Sequence, residues 1–562
     1  MALHQFLSYI PRRNAQRCGY ILVVWCLLCY LLLSFSTYSE SIHSNSPQAD
    51  GQPGLQQAFD TRPQGRTRAM GFNLLKSNPS IDRSPRLSEA EMAVKIQEKE
   101  PNLPIEFWQK SKHKQLSMNS SCAKMPSLYD IHFNNKYWQS LETSNGSFYF
   151  FAAYYDNRTL AERRPLIRIL GMIDKLNPTV KPHCQIWFDG ISKPVFSQVW
   201  QYKWIWVKEW GNYRNGVLQP YLMSCQVPSQ YQDLVPKSVS LAEKPCDMAT
   251  THLRVINDRP PTGEKEDFAV CVKGINYPFN DLSIRLTEWL ELLFLLGANK
   301  VFMYDMEVHP NISKILSYYQ DKGQIGITKL TLPGWQPNVR GFSYMYLKAK
   351  LVHKRQNEVI PYNDCFYKNM YKYKYIALLD IDEVIMPRNS SSWKELLEIV
   401  KRKDQGNNRN LRSSYVARNI YFMDSMHKPE EPDVTDVPSY MHMLKNIYRS
   451  GNYTQPGAYV KCFHDTERIL TLHNHFPFSC IGPHCSAYPI STDDAHLQHY
   501  RADCVGELKK VCGMRYKSHP TKDPSILKYK QPLVARVADT LRRLDFFKPE
   551  TAIKSDNTSI SR

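Results

Sequence analysis

Tyr375-Ile-Ala-Leu-Leu-Asp380-Ile381-Asp382-Glu383 decides how this chain is read. An apolar run of strand length ends in three acids within four residues, as expected where a buried strand delivers a site at its carboxyl end. If the backbone stays extended, alternation puts Asp380 and Asp382 on the same side. Carboxylates this close repel one another, so a positive partner is expected. A hard divalent cation, Mn²⁺ or Mg²⁺, is the simplest one.

Working outward, strands and helices alternate. Phe268-Ala-Val-Cys-Val-Lys reads as a strand, Leu282 to Leu296 as an amphipathic helix, and Lys300-Val-Phe-Met-Tyr-Asp as the next strand. Ile312 to Tyr319 continues as helix, Ile325 to Leu330 as strand, and Trp393 to Val400 as helix. The rhythm predicts an α/β fold, a largely parallel sheet with helices on both faces. Lys273 and Asp305 are expected at the ends of the first two strands, where ligands of such sheets gather.

Upstream, residues 120–256 carry short aromatic and β-branched runs such as Phe148-Tyr-Phe-Phe-Ala-Ala-Tyr-Tyr, broken by Pro, Gly and Asn. They predict a small β-rich accessory domain whose aromatics are core or sugar-binding. Residues 40–119 are polar and read as a stem, with a helix near Leu87 to Lys99 capped by Ser88. Residues 18–39 are free of charge and just long enough to cross a bilayer as a signal-anchor. Arg12, Arg13 and Arg17 precede them, which keeps residues 1–17 cytosolic and sends the rest to the lumen as a type II protein. The catalytic region is drawn at 257–546 and a C-terminal tail at 547–562.

Composition agrees with a luminal body. The chain has 562 residues, 42% of them hydrophobic, enough for a sizeable core, and a net charge of +19 spread along its length. No zinc-finger or RNA-binding signature accompanies that charge, so anionic substrates fit it better than nucleic acid. Glycosylation acceptor triplets stand at Asn119, Asn145, Asn157, Asn311, Asn389, Asn452 and Asn557. Eleven of the 14 cysteines lie beyond the apolar segment. In an oxidising compartment most should pair and one should be left over. Cys480 with Cys485 and Cys504 with Cys512 are the closest candidates. A zinc site from Cys480, Cys485, His496 and His499 is the weaker alternative. Leu378-Leu-Asp380-Ile-Asp382-Glu-Val384 also fits the motif of haloacid-dehalogenase-like phosphatases, but that motif sits on a domain's first strand and this one follows three others.

Several stretches, in order, resemble glycosyltransferase family 92. They include Val270-Cys-Val-Lys, Glu288-Trp-Leu-Glu-Leu-Leu-Phe-Leu-Leu-Gly-Ala-Asn-Lys-Val-Phe-Met-Tyr and Asn363-Asp-Cys-Phe-Tyr-Lys. Tyr373 to Arg388, Ala417-Arg-Asn-Ile-Tyr-Phe and His496-Leu-Gln-His-Tyr-Arg501 follow. The resemblance implies a GT-A-type nucleotide-sugar-binding sheet and inverting transfer of galactose from UDP-galactose in β linkage. The acceptor it implies is a glycan on a glycoprotein or glycolipid, in the Golgi membrane. Asp380 and Asp382 match the metal motif, and His499 is the residue expected to complete the metal shell, with His496 as its alternative. Asp493, Asp494 and Asp424 are the candidates for the catalytic base. Lys273, Asp305 and Arg501 are expected to bind the nucleotide sugar. Another donor such as UDP-GlcNAc, or an inactive lectin-like anchored protein, remains an alternative.

Overall fold

The computed structural model describes residues 87–111, 122–405, 412–506 and 508–547. The anchor at 18–39, the tail at 1–17, all but the first residue of the tail at 547–562, residues 40–86 and 112–119 of the stem, and the acceptors Asn119 and Asn557 lie outside the described residues. Among the described residues no helix is long and apolar enough to cross a membrane. The described residues form one compact unit.

Its centre is a seven-stranded sheet. In spatial order its strands are Ile325–Lys329, Lys300–Val308, Glu266–Tyr277, Tyr373–Leu378, Lys461–Asp465, Ser414–Ala417 and Ala487–Pro489. The first four run parallel, as the βα rhythm predicts. Lys461–Asp465 then joins Tyr373–Leu378 antiparallel and Ser414–Ala417 joins Lys461–Asp465 antiparallel, so the sheet is mixed. One face is covered by the helices Ser283–Leu296, Pro310–Asp321, Trp393–Gln405 and Lys530–Arg543, whose apolar residues share a core with Val270, Val272 and Ala377.

The other face departs from the expected pattern. It is covered by one helix, Leu351–Asn369, and by the β-rich region packed behind it. That region is a nine-stranded sheet in which Leu253–Ile256 pairs with both Ser238–Ala242 and Gly146–Asp156, closing the sheet on itself. Closure explains why Phe148-Tyr-Phe-Phe-Ala-Ala-Tyr-Tyr is apolar at nearly every position. Phe148, Phe150, Ala153 and Tyr155 fill the interior of the closed sheet, while Phe151, Ala152 and Tyr154 pack outward toward the helix. A register shift between Phe150 and Ala152 moves the alternation from one parity to the other. The domain boundary near 256 therefore crosses a continuous core.

The boundary drawn at 119 lies outside the described residues, but part of the stretch read as stem is folded. The Glu89–Lys99 helix forms, with Ser88 and Glu91 in a reciprocal capping box. The chain after it is docked rather than free: Asn102 donates to the Phe151 carbonyl and accepts from the Arg254 N–H, and Trp108 stacks on His252.

Five disulfides form: Cys122–Cys246, Cys184–Cys225, Cys271–Cys365, Cys480–Cys485 and Cys504–Cys512. Among the described residues Cys462 is the leftover thiol, and it is buried. The Cys480–Cys485 bond consumes the sulfurs that a zinc site would need. Of the described glycosylation acceptors, Asn389 and Asn452 are exposed, whereas Asn145, Asn157 and Asn311 are half-buried.

Candidate active-site cleft

The Tyr373–Leu378 strand ends two residues before Asp380, and the chain turns instead of staying extended. The Glu383 N–H donates to the Asp380 carbonyl, and the Asp380 N–H donates to Glu383 Oε2 at 3.1 Å. The turn feeds the Glu383–Pro387 strand, which pairs antiparallel with Ala495–Arg501 so that Glu383 sits opposite His499. The Tyr500 N–H holds the Asp382 carbonyl at 2.8 Å. This small sheet ties the acids to the histidine strand before any side chain is considered.

Because the chain turns, the two aspartates diverge. Asp380 faces two lysines, with Lys273 Nζ 3.0 Å from Oδ1 and Lys461 Nζ 3.5 Å from Oδ2. Lys461 also lies 3.1 Å from Glu383 Oε2, and Lys273 lies 3.5 Å from Glu358 Oε1. Asp382 is 46% exposed to the cleft and lies 3.5 Å from His499 Nε2. The positive charge demanded by the acidic run is therefore supplied first by protein cations. Burial works against the charge on Lys461, but Asp380 and Glu383 outweigh it and hold the amine above the ordinary lysine value. Burial likewise opposes ionisation of Asp380, yet the two lysines bring its carboxyl well below the usual range. For His499, burial disfavours the cation, and the Asp382 and Glu383 carboxylates reverse this and raise its pKa.

Around this cluster opens a cleft of about 1030 Å³. Arg285, Lys354, Arg355 and Arg501 give it a cationic lining. Trp206 and Trp210 come from the β-rich region and pack on each other, and Trp210 meets His473 and Phe476, with the Trp210 and His473 ring centres 4.3 Å apart. Some aromatics of the accessory region thus line the cleft instead of filling its core.

The predicted residues separate into two groups. Lys273, Asp380, Asp382, His499 and Arg501 line one cleft. Asp305 lies inside its strand, which runs on to Val308, and its carboxylate is buried and bonded to Lys329 away from the cleft. His496 faces the opposite side of its strand from His499, bonded to Tyr453 and 3.4 Å from Asp523, because the stretch is extended where same-face placement needs a helix. Neither Asp493 nor Asp494 lines the cleft. Asp493 is 86% exposed, and Asp494 is held by Lys403 at 2.6 Å. Asp424 follows the Asn419–Met423 strand and accepts a hydrogen bond from His442 at 2.7 Å.

Lys461, Glu358, Arg285 and His442 are cleft-region residues that the sequence reading did not single out. Lys461 carried a signal, since a lone lysine opening the apolar stretch Val460-Lys-Cys-Phe announces a buried charge in need of partners.

Asp382 and His499 are the neighbouring side chains that would hold a divalent cation if one bound here. His499 Nδ1 is secured by Asn419 Oδ1 at 3.2 Å and faces Glu383 Oε1 at 3.4 Å, which leaves Nε2 beside Asp382. A carboxylate behind a ligating imidazole is a recurrent arrangement in metal sites. Asp380 does not converge on that pair. Among the described residues, the single trio of close donor atoms is Asp503, Cys504 and Cys512, and both of its sulfurs are in a disulfide.

No curated protein matches the chain. Residues 266–533, from the first strand of the central sheet into the final helix, match the model of Glycosyltransferase family 92, and that match supports reading this part of the chain as a glycosyltransferase.

Proposed function

We propose that the chain is a metal-dependent, inverting hexosyltransferase with a GT-A-type sheet. On this reading it moves galactose from UDP-galactose in β linkage onto a glycan acceptor in the secretory pathway. The observation that carries the proposal is the cleft itself, where an acidic turn meets a histidine strand beneath a cationic lining. A nucleotide sugar presents a diphosphate, which suits Arg285, Arg355 and Arg501 by charge and by the forked geometry of guanidinium groups.

Asp382 and His499 would hold Mn²⁺ or Mg²⁺, which when bound supplies positive charge to the departing diphosphate. Asp380 acts through its lysines: it fixes Lys273 and Lys461 and sets the turn that presents Asp382. The apolar segment at 18–39, the five disulfides and the exposed acceptors Asn389 and Asn452 support a Golgi type II placement with the cleft in the lumen.

The test incubates the purified luminal portion with Mn²⁺, a panel of nucleotide sugars and an N-glycan glycopeptide, measuring nucleotide release and product mass. UDP-galactose should be turned over, and Asp382→Ala should abolish transfer while the variant is still secreted. Turnover confined to UDP-GlcNAc moves the assignment to that donor. Glycan binding without turnover of any donor identifies a lectin-like protein and overturns the proposal.

A further inference from the structure

His442, a cleft residue outside the acidic motif, is paired with Asp424. His442 lines the same cleft as the Asp382 turn. Its Nε2 lies 2.7 Å from Asp424 Oδ1. An ionised carboxylate only accepts, so in the neutral imidazole Nε2 carries the proton and Nδ1 carries the lone pair. Nδ1 has no protein hydrogen-bond partner among the described residues.

The ring is also held from below. Glu288 is fully buried, and its carboxylate accepts three consecutive backbone N–H groups, those of His442, Met443 and Leu444, at 2.6 to 3.0 Å. The next residue, Trp289, donates through Nε1 to the Glu383 carbonyl at 2.9 Å. One turn of the Ser283–Leu296 helix thus fixes both the His442 segment and the acidic turn. The edge of the imidazole packs against the Tyr500 ring, which adjoins His499 in sequence.

We propose that His442 is the general base that accepts the proton of the incoming acceptor hydroxyl, with Asp424 and Glu288 as its positioning residues. The inference rests on the transferase reading. As the acceptor oxygen forms its bond to the anomeric carbon, the bond from that carbon to the diphosphate oxygen breaks, and the diphosphate leaves with the electron pair. The hydroxyl proton passes to Nδ1, and the imidazolium that results is stabilised by Asp424. Water takes the proton from Nδ1 before the next turnover. Burial keeps the resting imidazole neutral, since it lowers the pKa against the opposing pull of Asp424. The other charged groups acting on it are Arg285, which also lies 3.9 Å from Asp424 Oδ2, and Asp382. Asp424 serves the ring and is not itself the base. Asp493 and Asp494 are excluded by their location.

The experiment uses the chain with UDP-galactose, Mn²⁺ and a desialylated N-glycan glycopeptide. His442→Ala should lower kcat by about 100- to 10,000-fold, the usual scale for a general base. UDP affinity, measured by titration with Mn²⁺, should stay within about twofold, because the lost interaction is made only in the transition state. Asp424→Asn should cost about tenfold, as expected for a group acting through another. The limb of the wild-type kcat–pH profile that rises as the imidazole deprotonates should vanish in both His442→Ala and His442→Gln. UDP binding by each variant reports that it has folded. Wild-type transfer with His442→Ala and His442→Gln both within about threefold overturns the base assignment alone. No transfer by the wild-type chain overturns the transferase reading on which it rests.

Discussion

Replacing Lys461 with Met tests whether a protein cation, and not a bound metal alone, holds the acidic turn together. The Lys461 side chain is wholly buried, and its amine lies 3.1 Å from Glu383 Oε2 and 3.5 Å from Asp380 Oδ2. Each pair is worth about 5 kcal/mol of Coulomb attraction at an effective dielectric of about 20. Desolvation of the lysine and both acids offsets much of this. Methionine matches the length of the stem but leaves Glu383, 1% exposed, without its cation. Breaking a buried pair in this way costs about 3–5 kcal/mol. The assay is urea unfolding with disulfides intact, followed by tryptophan fluorescence in the presence of EDTA. Lys461→Met should lose about 3–5 kcal/mol, and adding Glu383→Gln should recover at least about 1 kcal/mol through the coupling of neighbouring sites. A loss below about 1 kcal/mol, or strict additivity of the two changes, would refute the argument that the lysine neutralises the turn.

The remaining predictions concern pH, covalent ties and the docked N-terminal helix. Burial drives His252 and His464 down to about 3, well below the unfolded value of about 6.5. The unfolded chain therefore binds more protons between these values, so stability falls as pH drops from about 6.5 toward 3, by up to about 1.4 kcal/mol per pH unit for each group. Urea midpoints at pH 7 and 5 check this, and His252→Gln should flatten the slope. Cys271–Cys365 ties the first strand of the central sheet to the helix on its face across 94 residues of sequence, so removing both sulfurs as Ala should cost about 4–5 kcal/mol. Ser88→Ala should remove about 1 kcal/mol from the Glu89–Lys99 helix, read as faster amide exchange in its first turn with no change in global unfolding.

The strand–helix rhythm from Phe268 onward was legible because its strands are short apolar runs and its helices have a clear polar side. The Leu351–Asn369 helix was not, for two reasons visible in its composition. Pro361 reads as a breaker, and the buried face carries Gln356, Asn357, Asn363, Asp364 and Asn369, which blurs the hydrophobic period. Those side chains have defined partners, as when Asn363 donates to the Leu472 carbonyl and accepts from the Leu472 N–H. Pairings of that kind lie over 100 residues apart and leave no local trace. The site was legible to the same degree. A strand ending in acids located the cleft, and the His-Leu-Gln-His motif supplied a facing residue. The divergence of Asp380 from Asp382 depended on a turn, and the roles of Lys461 and His442 depended on partners far away in sequence.

The closed β-rich sheet bears on how this chain can be cut. Phe151, Tyr154, Leu166 and Leu170 cover the outer side of the helix whose inner side rests on Ala269, Cys271 and Ile376. A gene fragment trimmed to residues 266–533 would bare that greasy flank to water and invite aggregation. Soluble expression should instead begin upstream of residue 87, so that the whole wedge of strands is carried along.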